Sequence, residues 1–93
     1  MASFVANHQK KIGRLAKRVK NLQRLIKQGS SRDKLLKAAM EIRDGRIRVL
    51  RAKQNQNPES ATERAVFLRE EEEIKAVAEL SAEQVLAEYL PNS

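Results

Sequence analysis

The stretch VKNLQRLIKQGSSRD, from Val19 to Asp33, carries the end of one helix and the start of another. Val19, Leu22 and Ile26 recur at helical spacing, and Gly29 is suited to the left-handed C-terminal cap. Ser30 or Ser31 can then accept from the orphan amides of a second helix. Lys27 and Asp33 have the right signs for the ends of the two helix dipoles. A connection of about two or three residues forces its helices to be antiparallel neighbours, so this stretch predicts a helical hairpin.

Upstream of the turn, Val5, Ile12, Val19 and Ile26 occupy one heptad position, and Leu15 and Leu22 the other, with His8 in the latter series. This seam covers an arc of roughly 120° on a helix of 3.6 residues per turn. Lys10, Arg14, Lys17, Lys20, Arg24 and Lys27 lie across the opposite side. The first helix is expected at about 4–28. Downstream, Leu35, Ala39, Ile42 and Val49 run beside Leu36, Met40, Ile47 and Leu50, a face wide enough to meet two neighbours. The second helix is expected at about 31–54. Asp44-Gly45 offers a type I′ hairpin turn instead. The apolar spacing, however, keeps one phase through Gly45, and an isolated two-stranded hairpin is marginal in water. A helix through Gly45 forgoes about 1 kcal/mol relative to Ala.

Gln54 to Asn57 reads as a polar break, and Asn57-Pro58 suits an N-cap followed by Pro at the first helical position. Ser60 to Glu63 offers a capping box one turn later. A third helix is expected at about 59–79, with Val66, Phe67, Ile74 and Val77 on its apolar side. Ser81 and Gln84 form a second capping box, with Leu80 able to staple onto Val85. It opens a short fourth helix at about 82–90, which Pro91 stops. The expected fold is all-α: a small helical bundle in which residues 1–93 form a single helical domain.

Charge divides the chain. Residues 1–57 hold sixteen Lys and Arg against three acids, a net +13; residues 58–93 hold three against nine Glu, a net −6; the whole carries +7. This asymmetry between a basic hairpin and an acidic helical segment exceeds what solubility requires and points to a partner or to an internal electrostatic contact.

Enzyme chemistry is poorly supplied. The chain has no Cys, so disulfides, thiolate metal sites and thiol catalysis are excluded. His8 stands alone at a seam position and reads as a packing residue. The four Glu at 70–73 point around their helix rather than toward one ion. Gly13, Gly29 and Gly45 are isolated, unlike a phosphate-binding loop. The longest apolar run, Ala65 to Leu68, is far too short for a signal-peptide core or a membrane span, and a cytoplasmic location is the expectation. Neither a catalytic set, nor a cofactor, nor a metal, nor a small-molecule substrate is expected.

Surface recognition remains. Lys10, Arg14, Lys17, Lys20 and Arg24 form a stripe about 21 Å long at 1.5 Å per residue, and Arg48 and Arg51 add cations from the second helix. These seven are the candidate nucleic-acid-binding residues, for RNA or DNA. Arg43 and Arg46 fall inside the apolar arc and are expected to snorkel or to pair with Glu of the third helix. With only Phe4, Phe67 and Tyr89 as aromatics, and without zinc-finger, basic-zipper or RNP motifs, contact to the phosphate backbone or to structured RNA is favoured over base readout. The alternative is a protein-interaction or scaffold module, coiled-coil-like, as a homodimer or with another helical protein. A membrane-surface or targeting role for the acid-free, amphipathic residues 1–28 is disfavoured, because their polar face lacks the Ser enrichment of a transit peptide and their apolar face has only Phe4 as an aromatic anchor.

Overall fold

A computed structural model describes residues 2–91, with side chains described for residues 6–91; the side chains of Phe4 and Val5 lie outside that range. Five helices follow in order: α1 (Ala2–Lys27), α2 (Arg32–Gln56), α3 (Pro58–Thr62), α4 (Arg64–Ala78) and α5 (Ala82–Tyr89), with no strand among the described residues. The fold is a small all-α bundle.

The turn between α1 and α2 forms as its residues dictate. Gly29 adopts φ +68°, and the Gly29 and Ser30 amides donate to the carbonyls of Ile26 and Leu25, both at 3.1 Å. That is the Schellman pattern, which needs a residue able to enter the left-handed region. Ser31, rather than Ser30, caps α2 by accepting from the Lys34 amide. The hairpin is antiparallel, and α2 runs unbroken through Gly45. Gly45 is buried where α1 crosses it: a methyl group there would sit 3.0 Å from Leu15 Cδ1. The residue that weakens α2 locally thus permits the close approach of α1.

α2 is the hub, packing against α1, α4 and α5. The core joins Leu22 of α1, Ala38, Ala39 and Ile42 of α2, and Val85 and Leu86 of α5, with Leu15, Val19, Leu36 and Leu80 packed against it. The wide apolar face of α2 thus meets more neighbours than the two expected: α1, α4 and α5. Ile12 departs from the seam expectation: it is 46% exposed, although it shares the heptad position of Val19.

The acidic segment differs most from the expected continuous third helix. Asn57 caps α3 by accepting from the Glu59 amide, Pro58 opens it, and after one turn Glu63 turns extended (φ −116°, ψ 110°) before α4 begins. Ser60 does not cap; its hydroxyl donates to Glu70, which also accepts from Asn57 Nδ2 at 3.3 Å. The first turn is thereby folded back onto α4. Phe67, expected on the apolar side, is 40% exposed, whereas Val66 and Ile74 are buried. The polar break also starts later than expected, since α2 extends through Gln56 and Gln54 is buried. α5 begins with the full Ser81–Gln84 capping box and ends at Leu90, held extended (ψ 142°) before Pro91.

Candidate nucleic-acid interface

The apolar seam of α1 faces α2, which leaves its opposite side to solvent. Lys10, Arg14, Lys17, Lys20 and Arg24 are all exposed there. Two residues among them are small: Gly13 and Ala16 are exposed, and nothing lies within 4 Å of where a Gly13 side chain would begin. Long cations separated by small residues give a surface that an anionic chain can approach closely.

The destination of the nine Glu decides whether that surface is neutralised. Among the described residues there are four ion pairs, and every cation in them belongs to α2. Arg46 grips Glu88 of α5 through two bonds of 2.9 and 3.0 Å, donates to the Tyr89 hydroxyl at 2.9 Å, and lies 5.9 Å from the Tyr89 ring centroid. The hydrogen bonds to Glu88, first, and to Tyr89 raise the Arg46 pKa above its usual value. Arg51 pairs with Glu71 of α4, and Gln54 joins them, accepting from Arg51 at 3.2 Å and donating to Glu71 at 3.1 Å. Hydrogen bonds from Arg51 and then Gln54 hold the Glu71 carboxyl below its ordinary pKa. Arg32 reaches Glu83 at 3.6 Å, both well exposed, and Arg43 reaches Asp44 at 3.5 Å.

Arg43 also donates to the carbonyls of Ala78 and Leu80, at 3.3 and 3.1 Å. A cation thus sits at the negative end of α4. Neither Arg43 nor Arg46 pairs with a Glu of the expected third helix: one caps that segment's carbonyls, and the other binds the short C-terminal helix. Of the nine Glu in residues 58–93, three (Glu71, Glu83 and Glu88) pair with cations of α2, and none pairs with α1 among the described residues.

The seven candidate cations therefore separate. Lys10, Arg14, Lys17, Lys20 and Arg24 share one helix side, with no carboxylate in ion-pair range among the described residues. Arg24 donates to Asn21 Oδ1 at 2.7 Å. Arg48 is exposed on α2, with no ion pair among the described residues, whereas the guanidinium of Arg51 is engaged by Glu71. Arg18, at the seam edge, is half-buried and donates to the Glu41 carbonyl at 2.7 Å, which ties α1 to α2.

Two cations escaped the sequence reading. Lys34 and Lys37 are exposed on α2 and line a shallow depression with Asn21, Leu25, Ala38 and Glu41. The antiparallel register carried the signal: with the turn at Gln28 to Ser31, the first turns of α2 must lie beside Asn21 and Leu25.

Among the described residues, no group of three His, Cys, Asp or Glu could hold a metal ion, and no helix is long and apolar enough to cross a membrane. Comparison of the chain with known protein families, curated proteins and solved structures finds no match.

Proposed function

We propose that this chain is a non-enzymatic nucleic-acid-binding module that contacts the phosphate backbone through the outer side of α1. The observation that carries the reading is the division of charge. Residues 1–28 contain eight Lys and Arg and no acid, and the ion pairs of the described residues use cations of α2 alone. A row of cations free of competing carboxylates releases counterions from a phosphate backbone at full strength. A cytoplasmic site of action, where nucleic acid is accessible, accords with the reading. Its test is the triple variant Lys10→Gln, Arg14→Gln, Lys17→Gln. Helicity should be unchanged by circular dichroism, and affinity for a nucleic-acid duplex should fall by at least tenfold at low salt, on the order expected for three lost phosphate contacts. Equal binding by wild type and variant would contradict it.

A second reading, self-association or docking of a helical protein, draws on the large apolar side chains Ile12, Phe67, Leu68 and Leu90, each 38–47% exposed. Sedimentation equilibrium that shows monomer alone across concentration would remove self-association.

A further inference from the structure

Asn21 stands where two surface depressions meet. One is lined by Lys17, Lys20, Asn21 and Arg24 of α1; the other includes Asn21 together with Lys34 and Lys37 of α2. The five cations therefore form one field that passes from helix to helix near the hairpin turn. Asn21 is half-buried, and its orientation is fixed by chemistry. Arg24 can only donate, so the oxygen of the Asn21 amide must face it, at 2.7 Å. The NH2 end is left as a donor, without a partner among the described residues. Glu41 lines the second depression, so one carboxylate bounds a field of five cations and one amide donor.

The width of this surface limits what it can bind. Each helix is about 10–12 Å across, and packed axes lie about 8–10 Å apart, so the open side of the hairpin is roughly 20 Å wide. The major groove of B-form DNA is about 12 Å wide and admits one helix. A cationic surface that wraps from the outer side of α1 past Asn21 to Lys34 and Lys37 of α2 is broader than that groove and lies across the sugar-phosphate backbones, where contacts position the protein without reading sequence. Splayed single strands need aromatic platforms. Residues 17–37, which carry this field of cations, contain no Phe, Tyr or Trp.

Building on the proposed function, we infer that the binding surface crosses from α1 to α2 around Asn21, with Lys34 and Lys37 as direct phosphate contacts. Its partner is the backbone of a duplex, bound without sequence preference. The test measures fluorescence anisotropy of two unrelated 20-base-pair duplexes, and of one of their single strands, between 50 and 200 mM salt. The proteins are wild type, the double variant Lys34→Gln/Lys37→Gln, and a control of equal charge, Arg64→Gln/Lys75→Gln, altered at exposed positions of α4. Wild type should bind the two duplexes within about twofold of each other and more tightly than the single strand. Lys34→Gln/Lys37→Gln should weaken duplex binding roughly tenfold and reduce the salt slope by about two, whereas the control should change neither by more than a fraction of that. Duplex binding by wild type that survives Lys34→Gln/Lys37→Gln with the same affinity and slope would overturn this inference and leave the α1 reading standing. A preference for one duplex or for the single strand would overturn it likewise. Absence of binding by wild type to all three probes would overturn the α1 reading itself.

Discussion

Arg51 of α2 and Glu71 of α4 form an ion pair bridged by the buried Gln54, so the acidic segment docks by consuming charge on α2 rather than on α1. Removing one partner leaves the other facing Gln54 without its counter-charge. The same logic holds at a second ion pair of the acidic segment, Arg46 with Glu88. Among the described residues, the ion pairs of the acidic segment thus fall on α2, and α1 keeps its cationic surplus.

The Glu71 contact makes the docking of α4 sensitive to pH. The folded-state pKa of Glu71 is lowered, with Arg51 the first cause and Gln54 the second. A carboxyl with a depressed folded pKa contributes stability that is fully present above its unfolded value, near 4.5, and is lost as pH falls through the folded one. Wild type should therefore have a higher Tm than Glu71→Gln at pH 6–7, and the gap should close as pH falls below about 4. Paired thermal melts followed by circular dichroism across pH check this. A gap that stays constant down to pH 3 would show that the charge of Glu71 contributes nothing.

The Arg46 contact should matter more than an ordinary surface pair, because Arg46 is bidentate, bonds the Tyr89 hydroxyl, and has a side chain only 23% exposed. Glu88→Gln keeps an acceptor and should lower stability by about 0.5–1 kcal/mol. Arg46→Ala also removes the packed stem and should lower it by about 1–2 kcal/mol. Urea unfolding of the two variants gives both values, and their order is the informative result.

Two helical glycines should respond oppositely to substitution. Gly13 has open space around it, so Gly13→Ala should stabilise α1 by about 1 kcal/mol. Gly45 faces Leu15 and Arg18, with Leu15 Cδ1 3.0 Å from the position of a new Cβ, so Gly45→Leu should destabilise by roughly 1–3 kcal/mol despite the better helix propensity of Leu. Denaturant midpoints for the two variants settle the comparison.

The hairpin was legible because its signals are local. Gly29, Ser31 and the seam from Leu15 to Ile26 each specify structure within a turn or two, and so do the Asn57 cap and the Ser81–Gln84 box. The break at Glu63 was not legible, because it depends on Ser60 and Asn57 reaching Glu70, a contact that exists only once α3 folds back. Gly45 read as a local weakness since its benefit, the close approach of Leu15, lies on another helix. For the candidate site, the α1 cations follow from periodicity alone. The removal of Arg51 by Glu71, and the addition of Lys34 and Lys37, require knowing which helices are neighbours and in what register.

An unneutralised cationic face on α1 that meets a phosphate backbone must show itself in the salt dependence of duplex binding by the wild-type chain. If five or six phosphates are neutralised, the logarithm of the association constant should fall against the logarithm of salt concentration with a slope of roughly −4 to −6 between 50 and 200 mM. An affinity that stays flat over that range would contradict it.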